Sequence, residues 1–294
     1  MDEKKITFEE LREHLNRYIA EAPGRAIDAD YALRPELIGI RYFDEPLIGC
    51  ADARDPLFEQ MKNDPYIYGD FLRLPEEWLP GARTVISVFF PFSAAIRDSN
   101  KKDPRLPSGE WLHGRIEGQE FFLAGMRQLR QLLIRRGRQA VIPALDEKFQ
   151  IREQPEAFTR GMPPVLSNWS ERHAAYAAGL GTFGLSKHLI TKKGVCGRFS
   201  SIITDAAFPV TPRTTGDPFA GCSKCGRCVR RCPVRAIRRP APQASAIELS
   251  QSKDNRICSK YVDYLKEKFA PRYGCGKCQV NVPCERGIPT GDDL

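Results

Sequence analysis

Four cysteines of this 294-residue chain lie within a single short segment: Cys222, Cys225, Cys228 and Cys232, with Pro233 directly after the last. The spacing C-x2-C-x2-C-x3-C-P is typical of bacterial ferredoxins, in which thiolates bind a [4Fe-4S] cluster. Such a cluster accepts and donates single electrons. The segment therefore predicts redox chemistry.

A second group of cysteines follows: Cys258, Cys275, Cys278 and Cys284. In two-cluster ferredoxins the fourth cysteine of a run ligates the other cluster. The predicted ligand sets are therefore Cys222, Cys225, Cys228 and Cys284 for one cluster, and Cys232, Cys258, Cys275 and Cys278 for the other. Structural zinc, which also uses C-x2-C pairs, is the alternative. The Cys-Pro closure has no role in a zinc knuckle and favours two clusters.

Two cysteines remain outside these groups. Cys50, in LIGCADARD, is interpreted as a small buried residue rather than a ligand. Cys196 lies between lysines and an arginine, in KKGVCGRF, and positive neighbours would lower its pKa. A reactive thiol at Cys196 is the alternative to an inert one.

Positive charge is concentrated around the first cysteine run, although the whole chain carries a formal net charge of only +8. Residues 221 to 240 contain no acid and these cations: Lys224, Arg227, Arg230, Arg231, Arg235, Arg238 and Arg239. Cations stabilise an anionic cluster and would guide an acidic electron donor of the ferredoxin or flavodoxin type. A polyanion such as tRNA is the alternative partner.

Periodicity predicts an α/β fold, because helices and strands alternate up to about residue 210. Helices are expected from Thr7, which forms a capping box with Glu10, to Pro23, and over 112–136 and 170–179. Strands are expected over 37–49 together with a turn, and over 83–92, 141–145, 188–191 and 198–205, with a loop over 97–109. A Pro-, Thr- and Gly-rich linker over 209–221 separates a cofactor domain (1–212) from a cysteine-rich domain (213–294), which inserts a helix between Cys258 and Cys275.

The amino terminus reads MDEKKITFEE, without the apolar stretch of a signal peptide, and no long apolar run follows. We therefore expect a cytoplasmic protein that does not enter the membrane. Ten cysteines in such a compartment indicate thiolate ligands rather than disulfides.

Gly179, Gly181 and Gly184 form a G-x-G-x-x-G pattern. In a dinucleotide-binding fingerprint the glycines follow a strand and open a helix. Here they follow a helix and precede a strand. This order of elements disfavours a Rossmann site. The glycines would instead allow another group to approach the backbone closely.

The order AGLGTFG, HLIT, GRFSSIITD and the two cysteine groups resembles the epoxyqueuosine reductase and reductive dehalogenase superfamily, as does GARTVISVFFPF. The resemblance implies a nitroreductase-like core that binds base-off cobalamin, followed by a two-cluster ferredoxin-like domain that reduces the cobalt. Gly179, Gly181, Gly184, Lys187 and Arg198 would then contact the cofactor.

The chain departs from the family at several positions. Val165 occupies the place of the Asp that is the family's proposed proton donor, and the lysine of the family's Gly-Trp-Ile-Gly-Lys is displaced to Lys187. We expect neither the helical-repeat extension that many family members use on tRNA nor a twin-arginine export signal. The substrate is therefore predicted to be a small molecule or a nucleoside, with tRNA less favoured.

A reductase of this kind needs a proton donor near the reacting atom. His173 and Tyr176, with Glu171 as a charge partner, are the candidates, and a structural helix face is the alternative. Arg172, Lys187 and Arg198 are candidates for an anionic ligand. An oxidoreductase is favoured over an electron-transfer or corrinoid-activating protein without a substrate of its own.

Overall fold

The computed structural model describes residues 6–64, 69–153, 165–241 and 243–290. Helices in these ranges are α1 (Phe8–Glu21), α2 (Pro56–Asn63), α3 (Pro75–Trp78), α4 (Ala94–Ser99), α5 (Gly109–Arg115), α6 (Glu117–Arg135), α7 (Glu171–Ala177), α8 (Arg227–Arg231), α9 (Ala246–Ser250) and α10 (Asn255–Phe269). The strands are β1 (Leu47–Asp52), β2 (Thr84–Pro91), β3 (Ala140–Val141), β4 (Ile151–Glu153), β5 (Val165–Ser167), β6 (Gly181–Phe183), β7 (Leu189–Thr191) and β8 (Gly197–Thr204).

A four-stranded sheet of order β1-β2-β8-β3 forms the centre of the fold. Every residue of β2 is buried, as its β-branched and aromatic sequence TVISVFFP predicts. Helices and strands alternate as expected. All pairings in this sheet are antiparallel, however, so the described part of the chain is a mixed helix and sheet architecture in which we find no parallel β-α-β unit.

Helices cover both faces of the sheet because successive strand residues point to opposite sides. Ile86, Val88 and Ile202 pack with residues of α1 and α6. Val85 and Ile203 pack with the alanines of α7 on the opposite face. Small residues allow α7 to approach closely.

Local signals placed several helices correctly. The capping box between Thr7 and Glu10 starts α1, and the long helix over 112–136 is present as α5 and α6, which meet at Ile116. The helix predicted after Cys258 is α10, which begins slightly earlier, at Asn255.

Three predicted elements were wrong in extent. Residues 37–49 contain no strand before Leu47, since a short 3-10 turn over Pro35–Leu37 precedes it. The expected loop over 97–109 begins inside α4, which ends at Ser99. The strand over 141–145 ends after Val141, because Pro143 opens a 3-10 turn there.

The cysteine-rich segment packs directly on α5. Gly276 faces Trp111, and the Arg272 guanidinium lies 2.6 Å from the Glu117 carboxylate. Tyr261 of α10 donates a hydrogen bond to the Arg105 carbonyl. The predicted linker over 209–221 contains no helix or strand, and its Thr211 N–H donates to the Cys50 carbonyl. A domain boundary near residue 212 stays a prediction.

The helices of the described ranges are all too short or too polar to cross a membrane.

Gly276→Ala is expected to disrupt the contact between α5 and residues 275–278, which we call the cysteine loop. An added Cβ would lie 1.9 Å from the Trp111 ring, and Gly276 has a φ of +67°. Overpacking and left-handed strain together should cost about 3 kcal/mol in the free energy of unfolding. Gly137→Ala is the matched control, because Gly137 has a φ of +73° with nothing near its Cβ position. Denaturant titration should show a loss of only ~1 to 2 kcal/mol there; equal losses would contradict the packing argument.

Candidate functional site

The cysteines of the two runs lie in two groups of electrostatic neighbours. Burial, followed by the thiolates of Cys228, Cys222 and Cys225, raises the pKa of Cys284 far above its usual range. We name Cys222, Cys225, Cys228 and Cys284 quartet A. These four cysteines are one of the two predicted ligand sets.

Quartet B consists of Cys232, Cys258, Cys275 and Cys278. Burial and then neighbouring Cys278 and Cys258 raise the pKa of Cys275 to about 12. Cys278 is likewise raised by burial and by Cys258 and Cys232. The two quartets are adjacent, since Cys278 also raises the pKa of Cys228. Ligation of a cluster by each quartet stays a prediction.

Backbone turns orient amide donors toward two of the sulfurs. Gly226 adopts a φ of +72° in front of α8, and the Arg227 N–H lies 3.5 Å from Cys225 Sγ. The Ala236 N–H lies 3.2 Å from Cys232 Sγ. Amide donors of this kind stabilise the negative charge of cluster sulfurs and tune the reduction potential.

A buried and a half-buried cation next to quartet B indicate whether an anionic cluster fits there. Lys277 is completely buried, and its Nζ donates to the Asn100 carbonyl at 2.7 Å and to Asn100 Oδ1 at 3.0 Å. Nε and Nη2 of Arg231 are buried without a hydrogen-bond partner. Neither cation forms an ion pair with a carboxylate in the described ranges. Buried charge of one sign requires a counter-ion, and an anionic cluster with four thiolates fits.

The zinc alternative receives no support from the arrangement of the thiols. Structural zinc needs four ligands about 2.0 to 2.3 Å from one ion. Among the described residues, no three His, Cys, Asp or Glu side chains are close enough to hold a single metal ion. A cluster distributes its four thiolates over several irons.

His188 joins quartet B to the first half of the chain. Its Nδ1 lies 3.2 Å from Ser186 Oγ and 4.0 Å from Cys278 Sγ, and its Nε2 lies 3.1 Å from Gln279 Nε2. Because the Gln279 amide nitrogen is a donor, Nε2 accepts and Nδ1 carries the hydrogen. Burial and surrounding cations lower the pKa of His188 well below its usual value, so the ring is neutral.

The cations around His188 form what we call the cationic pocket: Arg115, Arg172, Lys187, Arg198 and Lys253. Arg198 Nε donates to the neutral Gln119 Oε1 at 2.8 Å, and burial followed by Arg115 lowers the pKa of Arg198 to about 9. Arg115 Nε is buried without a partner, while its guanidinium lies over the Tyr273 ring.

The structure therefore brings the predicted residues Arg172, Lys187 and Arg198 into one region. The Arg172 guanidinium donates to the Lys187 carbonyl, and burial lowers the pKa of Lys187 to about 8. Lys187 and Arg198 are partly buried and form no ion pair in the described ranges, which favours an anionic ligand such as a phosphate or a carboxylate. Arg115 was missed because an arginine at the end of a helix carries no sequence signal.

Of the predicted proton donors, His173 is poorly suited to the role. Its Nδ1 lies 2.7 Å from Ser170 Oγ, and its ring centroid is 4.9 Å from that of Phe183. Burial, reinforced by Arg172, lowers its pKa to about 3, so the imidazole is neutral at pH 7. Tyr176 is buried, and its hydroxyl lies 3.4 Å from the Gly216 carbonyl oxygen. Both residues fit the alternative of a structural helix face.

Glu171 is better suited to carry a proton than to act as a charge partner. Both carboxylate oxygens are buried without a hydrogen bond of good geometry, beside the Trp169 indole and the Ser201 hydroxyl. Burial raises its pKa to about 7. The indole itself donates to Ser201 Oγ at 2.8 Å. A carboxyl group that titrates near neutral pH is the type of general acid that reductive chemistry requires.

Val165, at the family's Asp position, is exposed at the start of β5. Residues 161–164 of the same motif lie outside the described residues. Ser201, which the sequence analysis missed, faces Ser87 across the sheet. A serine among the apolar residues of a buried strand is the signal that could have found it.

Contacts inside the protein account for the three glycines of the G-x-G-x-x-G pattern. A Cβ on Gly179 would lie 2.8 Å from the Pro212 carbonyl oxygen, and one on Gly181 would lie 2.1 Å from that of Ile190. Gly184 faces the Ile190 side chain and, at 3.8 Å, Cys222 Sγ. These contacts explain the glycines without a cofactor. The contact of the glycines with a corrin stays a prediction.

The two remaining cysteines are both inert. Cys50 is completely buried, as predicted, and burial raises its pKa to about 12. The lowered pKa expected for Cys196 was wrong. Burial raises it well above its usual value, because the neighbouring lysines in sequence point away from a thiol enclosed in the core.

Two cavities lie away from the cationic pocket. One of about 360 Å³ is lined by Lys101, Arg227, Asn281, Val282, Pro283, Glu285 and Arg286, and one of about 290 Å³ lies between α6 and β3. A corrinoid is larger than the ligands for which cavities of about 300 to 1,000 Å³ are typical. Neither of these two cavities is large enough for cobalamin, so a cobalamin site stays a prediction and we derive no step through it.

Curated relatives of the chain are named epoxyqueuosine reductase. The protein of Listeria monocytogenes serovar 1/2a is 30% identical over 155 residues, which cover 49% of this chain and 37% of the relative. The protein of Shigella dysenteriae serotype 1 is 28% identical over 238 residues, covering 75% of this chain and 54% of the relative. The chain spans about half or less of the length of these relatives. No protein-family model matches it.

Solved structures similar to the chain include a selenomethionine-labelled epoxyqueuosine reductase, with a TM-score of 0.49 and 16% identity over 83% of this chain and 63% of that chain. A catabolic reductive dehalogenase has a TM-score of 0.48 and 16% identity, over 83% and 30%. The curated relatives confirm the resemblance to epoxyqueuosine reductases, and their name denotes an oxidoreductase, as predicted.

Glu171→Gln is expected to remove a specific pH dependence of stability. Because burial raises the pKa of Glu171 from 4.5 to about 7, the folded state holds a proton that the unfolded chain releases between these values. Stability should therefore fall as the pH rises from about 4.5 to 7, by an amount on the order of 3 kcal/mol. Urea titrations at pH 4 and pH 7 should show this loss in the wild type and not in the variant. An equal pH dependence in both would contradict the assignment.

Proposed function

We propose that the chain is an iron-sulfur reductase that acts on an epoxyqueuosine-type nucleoside in tRNA. The observation that carries this proposal is the cationic pocket beside quartet B, joined to it by His188. The name shared by the curated relatives supplies the substrate class. The chain spans only part of the length of those relatives, so their activity is proposed for it and not transferred.

Reduction of an epoxide consumes two electrons and two protons, whether the oxygen leaves as water or remains as an alcohol. Quartets A and B would hold clusters that each carry one electron at a time. The cationic pocket would bind a phosphate of the substrate, because Arg115 and Arg198 offer donors without carboxylate partners. Glu171 would hold one of the protons at neutral pH.

The sequence favoured a small molecule or a nucleoside over tRNA as the substrate, and the proposal reverses that preference. The shared name of the relatives favours the modified nucleoside. A solved epoxyqueuosine reductase was crystallised with an epoxyqueuosine-modified tRNA stem loop. The excess of positive charge around the first cysteine run is compatible with a polyanion.

Cobalamin belongs to the proposal as the resident cofactor that the resemblance implies. When bound it would supply a strongly reducing cobalt centre. The electron-transfer protein without a substrate of its own is the second candidate function, favoured by Val165 at the family's Asp position.

The function is tested on protein purified without oxygen and reconstituted with iron, sulfide and hydroxocobalamin. We expect about eight irons per chain for two clusters, one cobalt, and conversion of an epoxyqueuosine-containing tRNA stem loop with dithionite as reductant. Cys228→Ser and Cys278→Ser should each retain about four irons and lose turnover. Cys50→Ala should keep the iron content and the turnover of the wild type. Eight irons without cobalt would contradict the cobalamin part. Full loading without turnover would favour the electron-transfer protein.

We also propose where the electron donor docks. The exposed arginines Arg227, Arg230, Arg235, Arg238 and Arg239, which we call the arginine patch, form no ion pairs in the described ranges. Arg230 and Arg239 converge over Gly226, next to Cys225 of quartet A. Unneutralised charge beside a cluster favours an acidic redox protein, because complementary charge accelerates association.

Reversing two charges of the arginine patch tests the docking. Arg230→Glu with Arg239→Glu should slow cluster reduction by an acidic flavodoxin at least tenfold at low ionic strength, and salt should reduce the difference. Arg127→Glu with Arg135→Glu, both exposed on α6, is the control. Unchanged flavodoxin kinetics with lost binding of the tRNA stem loop would assign the patch to the polyanion instead.

A further inference from the structure

Each quartet contains the same short motif with a lysine in the same place. Quartet A has Cys222-Ser223-Lys224-Cys225, and quartet B has Cys275-Gly276-Lys277-Cys278. The two lysines would be equivalent if sequence alone decided their surroundings.

Their surroundings differ completely in the structure. Lys277 is fully buried and held by both oxygens of Asn100, which is itself fully buried. Asn100 also donates to the Cys275 carbonyl at 3.1 Å. Lys224 is half-exposed and forms no hydrogen bond or ion pair within the part of the chain that the structure describes. The ammonium of Lys277 is therefore fixed near quartet B, whereas that of Lys224 is screened by water.

Other groups add to the difference between the quartets. Arg231 is half-buried, with Nε and Nη2 buried without a hydrogen-bond partner, and lies near Lys277; His188 Nδ1 is 4.0 Å from Cys278 Sγ. Beside quartet A the buried Glu285 follows Cys284, with Lys101 2.8 Å from its carboxylate. Positive charge in a low-dielectric environment stabilises the more negative, reduced form of a cluster.

We propose that Lys277 holds the cluster of quartet B at a higher reduction potential than the cluster of quartet A. One electron then passes from the reduced quartet A cluster to the oxidised quartet B cluster without a proton, and collects next to the cationic pocket. This inference rests on the proposed function only in requiring that both clusters are present. Lys277 acts through the cluster of quartet B and need not touch the substrate.

The test compares Lys277→Met with Lys224→Met by potentiometric titration followed by EPR, without substrate. The higher-potential signal of the wild type should be absent in Cys258→Ser, which assigns it to quartet B. Lys277→Met should shift the electron-sharing equilibrium between the clusters at least tenfold toward quartet A, which is about 59 mV for one electron. Lys224→Met should shift it less than threefold.

Two further variants separate charge from packing. Lys277→Arg keeps the charge and should restore the wild-type potential, and Arg231→Gln should shift the potential in the same direction as Lys277→Met. Equal shifts for Lys277→Met and Lys224→Met would overturn the proposal. An unchanged potential in Lys277→Met, or in Arg231→Gln, would overturn it as well. Failure of the unmodified protein to bind iron would instead contradict the proposed function.

Discussion

Buried positive charge without carboxylate partners is the constraint on which the proposed site depends. Lys277 is fully buried against Asn100, and the half-buried Arg198 and Arg231 meet an amide oxygen or, for two Arg231 nitrogens, no partner. Removing a cation from water costs several kcal/mol unless a counter-charge accompanies it. Two anionic clusters and an anionic substrate would provide that charge. Without them the arrangement would be strained by its own repulsion.

Helix α5 and its neighbours connect the cysteine-rich segment to the amino-terminal part of the chain. His113 accepts a hydrogen bond from the Leu33 N–H through Nε2, so its Nδ1 donates to Glu117. Glu117 in turn pairs with Arg272, which donates to the Tyr31 carbonyl. The same helix presents Trp111 to Gly276. The cysteine loop is therefore seated on α5, and the cationic pocket begins where this helix ends, at Arg115.

Elements with strong local signals were predictable from the sequence. The capping box of Thr7 defined the start of α1, and the β-branched and aromatic residues of β2 marked a strand buried on both faces. The prediction for Cys196 failed because it counted charged neighbours along the chain. Enclosure in the core, which depends on the packing of distant elements, decides the pKa of a thiol.

The sequence by itself predicts the two sets of thiols, because cysteine spacing limits which sulfurs can share a cluster. It also determined the alternation of helices and strands through hydrophobic periodicity. Only the tertiary structure decided that Glu171 titrates near pH 7 and that Arg115 joins Arg198. Lys224 and Lys277 occupy the same place in matching motifs, yet one meets water and the other meets Asn100. The physical reason is that burial is a property of the packed chain, and the energy of a charge depends on the solvent that surrounds it.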